Sequence, residues 1–381
     1  MFIRAVVLLC LSSPAFAQRQ VVFEERPGLL LGNDKLELTV LTTGGSFADL
    51  VLRDDPDKLS PLWNPARLAR EAGQPSRFGF SFGHFVCVDG FGPVSKEEQA
   101  AGMPGHGEAH TQRWEVRASE KKGNTLTVTF TTHLPLVQEN FTRTIRLVDG
   151  ESVVYVESEL ENLMAFDRPV LWAEHGTIGS PFLEPAKTVV DMSAQRAKTR
   201  PYERGSRGLP HRLANGQDFT WPLAPGAAGE TIDVRAAPEN PNSGDHTTSL
   251  MDPSRRLVFV TALHPEKRLL LGYLFRREEY PWTQNWENYP ANRKMARGLE
   301  FSTQPFDVPR RQVIDTRSLF DAPVYRWLPA KSKIGSAFLM FYTRTPEGFR
   351  KVDDVTLDGG RLVIEDRAAG KRVTLSASGG L

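Results

Sequence analysis

The chain has 381 residues, 47 basic and 46 acidic side chains and a formal net charge of +1, so no excess of charge draws it to nucleic acid or to an anionic membrane surface. Of its two cysteines only Cys87 lies beyond the N-terminal leader, which excludes an intramolecular disulfide in a mature chain. Stability then has to come from a hydrophobic core, and the length allows a large one.

The chain opens MFIRAVVLLCLSSPAFA, with Arg4 ahead of an apolar run and Ala15-Phe16-Ala17 as an A-x-A cleavage site. Residues 1–17 are expected to be a secretory signal peptide, leaving a mature protein that begins near Gln18 in the periplasm or outside the cell. The apolar run is far shorter than the roughly 20 residues of a membrane-spanning helix, and no later stretch is longer, so no membrane span is expected. Residues 18–381 are read as one domain.

Period-two alternation dominates the rest of the chain. KLELTVL carries Leu36, Leu38 and Val40 on one face, and NTLTVTFTT carries Leu126, Val128 and Phe130. RTIRLVDGESVVYVESEL alternates on both sides of Asp149-Gly150, the signature of a hairpin. Further strand pairs are expected at RRLVFVTALHPEKRLLLGYLFRR, at SKIGSAFLMFYTR and around the Gly-Gly of VTLDGGRLVIEDRAAGKRVTLSA. The one good short helix candidate is PARLAREAG at 65–73. Residues 88–113, 195–250 and 276–312 read as long polar connections, a length usually reserved for functional loops. The expectation is an all-β chain folded as a large antiparallel β-sandwich.

Three segments could carry chemistry. GMPGHGEAH at 102–110 places His106, Glu108 and His110 at alternate positions, a spacing that would put all three on one face of an extended segment and suit zinc or another transition metal. Its glycines favour a loop, so a sugar-binding loop and a chance surface cluster stay open beside the metal. His175 in RPVLWAEHGTIGSPF follows the apolar Val170-Leu171-Trp172 and precedes Gly176, where a sheet is expected to hand over to a loop, with Glu174 on the opposite face. In EEYPWTQNWENYPANRKMARGLEFSTQPF, Trp282 and Trp286 lie among amides and Arg293, a mixture suited to a sugar's apolar face and hydroxyls. Glu300, between Leu299 and Phe301, would point away from those two. No nucleophile elbow, phosphate loop or H-E-x-x-H zinc helix is present, and the H-x-E of 106–108 lacks the downstream cysteines of a zinc deaminase.

In this order and background, His106 in PGHGEA, His175 in WAEHGTIGSPF and Glu300 in GLEFSTQPF resemble the site motifs of the galactose mutarotase-like superfamily, which includes aldose 1-epimerases. The similarity runs over about residues 30–345, the hairpin before His175 included. The resemblance implies a supersandwich that binds a mono- or oligosaccharide without a cofactor and interconverts its α and β anomers. Glu300 would be the base, His175 the acid, and His106 a sugar contact. At ordinary pKa values of roughly 4.3 and 6.5, an ionised Glu300 and a partly protonated His175 would coexist near neutrality. Arg77 in PSRFGF is the match for an arginine near the sugar, and Asp218 and Asp245 are the candidates for a sugar-binding aspartate. The usual NHLHGG-like run is replaced by GMPGHGEAH, and the aromatic after the second histidine is missing, which points to a separate secreted branch. A non-catalytic sugar-binding sandwich and a polysaccharide lyase are the alternatives. Neither the sugar nor the oligomeric state follows from the sequence.

Overall fold

In a computed structural model that describes residues 18–75, 79, 81–202 and 208–381, the alternation read from the sequence becomes two facing sheets. Along Thr125–Leu134, Leu126, Val128 and Phe130 are buried while the threonines between them are half-buried. The partner strand Glu139–Val148 repeats the pattern in register, Leu126 opposite Leu147 and Val128 opposite Ile145. Among the described residues these strands belong to an eight-stranded antiparallel sheet that packs against a fourteen-stranded one. One continuous apolar core, from Leu31 and Leu38 through Phe130 and Ile145 to Val260, Phe301 and Met340, fills the space between them. The result is the large antiparallel β-sandwich that the alternation predicts. The C-terminal meander Asp354–Asp358, Arg361–Asp366 and Lys371–Ser376 covers the outer face of the smaller sheet, burying Val355, Leu362 and Ile364 against Tyr155, Phe259 and Phe341. Its first turn is Gly359-Gly360 with φ of 53° and 75°, the left-handed conformation that a two-residue hairpin requires.

The helix expected at 65–73 is Pro65–Glu71, capped by the Asn64 side chain on the Arg67 N–H. Two of the three long connections turn out differently. Residues 276–312 contribute Trp282–Tyr289, Ala296–Gly298 and Glu300–Ser302 to the middle of the larger sheet. Residues 195–250 contribute several strands, the longest being Ser243–Met251. Their polar composition hid them, because both faces of this part of the sheet carry buried polar and charged groups. Residues 88–113 are a loop with one short helix, Lys96–Ala100. No described helix is long and apolar enough to cross a membrane.

The strand Trp172–Gly179 is the axis of the larger sheet, pairing with His84–Val88 on one side and with Ala296–Gly298 and Glu300–Ser302 on the other. His175 therefore sits within a strand rather than where a sheet hands over to a loop. As expected, its neighbour Glu174 takes the other face. There the Glu174 carboxylate accepts hydrogen bonds from Arg143 at 2.6 Å, His84 Nε2 at 2.8 Å, Trp172 Nε1 at 3.1 Å and the Tyr280 hydroxyl at 3.2 Å. Burial pushes its pKa up, but Arg143 and His84 outweigh this and hold it below the ordinary value. The Arg143 guanidinium also bonds Ser158 and lies over the ring of Phe141. Removing one partner of such a pair leaves an uncompensated charge in the core, a loss of about 3–5 kcal/mol. Urea unfolding should therefore show Glu174→Gln destabilised by that amount, and the double variant Glu174→Gln/Arg143→Met less destabilised than the sum of the two single changes. Strict additivity would mean that the pair is not coupled.

Candidate functional site

The other face of the same strand forms the floor of a cleft of about 480 Å³. Antiparallel register decides who meets there, because residues directly opposite one another project to the same side. Phe85 lies opposite His175, Glu300 opposite Gln284, and Gln284 opposite Thr248. One pleat further along, His246 lies opposite Trp286. His175, Glu300, Trp286, His246 and Phe85 all line the cleft, with Trp63, Phe91, His106, His110 and Asp307 around them.

His175 Nε2 stands 3.3 Å from Glu300 Oε1. The imidazole stacks on Phe85 with ring centres 4.2 Å apart, and its Nδ1 is 3.0 Å from the Thr177 hydroxyl. Both members of the pair are almost entirely buried. Burial raises the Glu300 pKa well above a normal carboxylate, and the Asp307 charge raises it further. Burial also lowers His175 well below a normal imidazole, helped by His106. Both shifts disfavour the ionised glutamate beside a protonated histidine expected from reference values, and both favour a proton on Glu300 over one on His175.

His106 reaches the cleft from the loop after Lys96–Ala100, in the left-handed conformation with φ of 67°. Its N–H bonds the Gly92 carbonyl at 2.9 Å, and its Nδ1 accepts the Gly92 N–H at 3.2 Å. The following glycine makes this possible. Gly107 has φ of 74° and bridges to Val88, and a Cβ there would lie 2.1 Å from the Val88 carbonyl oxygen. The His106 ring comes within 5.2 Å of the His175 ring, at a steep angle to it.

Several residues singled out in the sequence lie elsewhere. Glu108 is turned away from the histidines and accepts the N–H groups of Leu136 and Val137, pinning the loop to a neighbouring turn. His106, Glu108 and His110 therefore do not converge, and among the described residues no group of three or more His, Cys, Asp or Glu is placed to share a metal ion. Trp282 shares a face with Trp286 but sits beyond the cleft, packed under Leu171, Leu250 and Val324, with its Nε1 on the Pro323 carbonyl. The aromatic edge of the cleft is instead Trp286 against Trp63, with ring centres 5.9 Å apart. Arg293 is on an exposed turn and bonds the Glu239 carbonyl, and it does not line the cleft. Asp218 is exposed and paired with Lys198, while Asp245 holds Arg212 and the Leu213 N–H on the opposite face of its strand. Arg77 and the leader 1–17 lie outside the described residues.

The sequence reading missed Asp307 and His246. Asp307 follows the Glu300 strand, and its Oδ1 meets His246 Nδ1 at 2.9 Å and the Arg200 guanidinium. Burial alone would raise its pKa, but His246 and Arg200 hold it below the ordinary value. His246 comes from GDHTTS, whose lack of apolar alternation disguised a strand.

No protein-family profile and no curated protein sequence matches the chain. Solved structures do match. A galactose mutarotase-like protein from Clostridium acetobutylicum superposes with a TM-score of 0.59 at 12% identity, covering 87% of this chain and 99% of that one. A galactose mutarotase related enzyme from Lactobacillus acidophilus gives 0.56 at 11% identity, covering 87% and 100%. A protein from Klebsiella pneumoniae with a provisional assignment as an aldose 1-epimerase gives 0.59 at 12%, covering 85% and 83%. The chain shares the fold of the galactose mutarotase-like superfamily.

His110, at the cleft wall, supplies a test of how dry the site is. Burial, with His106 second, holds its pKa down to about 4, against roughly 6.5 in the unfolded chain. Between those values the unfolded state binds the extra proton, so this contribution to stability is complete above pH 6.5 and is lost as the pH falls towards 4. From pH 7.5 to pH 5 it amounts to about 2 kcal/mol. Urea unfolding at the two pH values should show His110→Gln losing about 2 kcal/mol less than the parent on acidification, and parallel losses would contradict a buried neutral His110.

Proposed function

We propose that the protein binds a cyclic sugar in this cleft and interconverts its α and β anomers by acid–base ring opening. The observation that carries the reading is the buried His175–Glu300 pair, 3.3 Å apart on the floor of an aromatic-edged cleft. Ring opening needs one group to take the proton of the C1 hydroxyl and another to protonate the ring oxygen. The C1–O5 bond then breaks, C1–O1 becomes a carbonyl, and rotation about C1–C2 lets the 5-hydroxyl attack the opposite face while both protons return. A pair holding one proton supplies one acid and one base, and closure exchanges their roles. With the resting proton on Glu300, the first step has Glu300 as acid and His175 as base, the reverse of the roles the resemblance implies. Trp63 and Trp286 offer faces for the apolar C–H surface of a ring, and His106 offers Nε2 to a hydroxyl.

The shared fold with mutarotase-like proteins supports this reading, as does the order of His106, His175 and Glu300. The same proposal places the mature protein outside the cytoplasm, on the strength of the leader sequence, and N-terminal sequencing at Gln18 would check it.

Each positioned acid or base contributes about 10²–10⁴-fold. NMR exchange or polarimetry on freshly dissolved α-glucose and α-galactose should show acceleration by the parent. In Glu300→Gln the exchange rate should fall by at least about 10²-fold, with sugar affinity nearly unchanged. A Glu300→Gln protein as fast as the parent would reject the assignment, and sugar binding by the parent without exchange would favour a non-catalytic binding protein.

A further inference from the structure

His246 is 2% exposed, yet among the described residues its Nε2 has no hydrogen-bond partner, and the residue lines the cleft. An unmet polar atom at that depth costs about 1–3 kcal/mol, so natural folds rarely keep one without a use. The opposite nitrogen explains how it is presented. Nδ1 has two neighbours, Asp307 Oδ1 at 2.9 Å and Arg200 Nη1 at 3.3 Å. Arg200 is committed elsewhere, since it pairs with the Asp307 carboxylate and donates to the Asp307 carbonyl at 2.9 Å. The Asp307 carboxylate is the closer, charged acceptor for a proton on Nδ1, and a proton held there would leave a lone pair on Nε2 facing the cleft.

We infer that His246, with its tautomer set by Asp307, is a substrate-binding residue whose Nε2 accepts a hydroxyl of the sugar on the half of the ring remote from the anomeric carbon. This rests on the sugar-binding reading above and adds to it a named contact. Position follows from the sheet. Glu300 and His246 are separated by two strand spacings and one pleat repeat, about 12 Å between backbones from spacings of ~4.8 Å and ~3.3 Å per residue. Side chains converging from those two points reach opposite ends of one six-membered ring. A ring with C1 at the His175–Glu300 pair then brings its far hydroxyls to His246, beside Trp286 on the facing strand. Asp307 is a positioning residue in this scheme. Arg200 keeps Asp307 ionised and so keeps the proton on Nδ1.

Two substitutions separate the roles of the two nitrogens. An asparagine amide overlays Nδ1 and can still donate to Asp307, but it leaves the cleft side empty. A glutamine amide reaches the Nε2 position. With mature protein and the monodeoxy series of D-glucose and D-galactose, His246→Asn should weaken binding of the parent sugar by about fivefold to tenfold, the range of one neutral hydrogen bond. It should leave one deoxy sugar, lacking the 3- or 4-hydroxyl, unaffected. His246→Gln should recover part of the loss. Nitrogen-15 NMR of the imidazoles should show His246 Nε2 unprotonated at neutral pH in the parent, and protonated in a larger share of molecules in Asp307→Asn. The inference is overturned if Nε2 carries the proton in the parent, or if His246→Asn weakens every sugar of the series equally. A parent protein that neither binds nor mutarotates either hexose overturns the functional reading instead, and this contact with it.

Discussion

Everything in the cleft depends on which way the strand Trp172–Gly179 faces, and the buried Glu174–Arg143 pair decides that. Side chains alternate with a period of two, so a slip of one residue would exchange the two faces and bring the Glu174 carboxylate into the cleft while sending His175 into the core. The slipped arrangement would leave Arg143, 1% exposed on the facing sheet, without its anion. His84 adds a second lock, because it donates to Glu174 from the adjoining strand and so fixes Phe85, its neighbour in sequence, on the cleft side. The stack of Phe85 on His175 then follows from two adjacent pairs of residues, each split between the faces of one sheet.

The cleft sorts its carboxylates by the company they keep. Glu300 has a histidine that burial keeps neutral, and it is pushed towards the protonated form. Asp307, in the same cleft, has Arg200 and His246 and remains an anion. The two acids are coupled, since the charge on Asp307 is one of the reasons Glu300 holds its proton. A carboxyl pushed towards its protonated form, beside an imidazole pushed towards its neutral form, could open a sugar ring without first creating a buried ion pair.

Much of the fold was legible because alternation survives wherever one face of a strand is apolar. Leu126, Val128 and Phe130 gave their strand away, as did the glycine turns at Asp149-Gly150 and Gly359-Gly360. It failed for Trp282–Tyr289 and Ser243–Met251, where Thr283, Gln284, Asn285, Thr247 and Ser249 are buried polar residues that blur any contrast between an apolar and a polar face. The site divided the same way. His106, His175 and Glu300 could be picked out by motif and order, and the structure brings them together in one cleft. Asp307 and His246 are 61 positions apart in sequence and acquire a shared role only through sheet register. Trp282 misled because two tryptophans four positions apart on a strand share a face without sharing a pocket; about 13 Å of strand lies between them.

Of the four histidines that line the cleft, His246 and His175 are held by different kinds of partner, and the difference separates their chemistry. His246 has the Asp307 carboxylate on Nδ1, an acceptor that can only receive and so favours a proton on that side, the tautomer inferred above. His175 has the Thr177 hydroxyl on Nδ1, a group that donates or accepts by turning about one bond. Its ring is clamped by Phe85 and cannot swing, yet Nδ1 stays satisfied whether or not it carries a proton. Nε2, facing Glu300, can therefore gain a proton and give it back without loss of a hydrogen bond behind it. A carboxylate at position 177 would hold the proton on Nδ1 and stabilise an imidazolium, stalling the return step. The threonine leaves both states of His175 within reach, as the proposed ring opening and reclosure by one pair of groups would require.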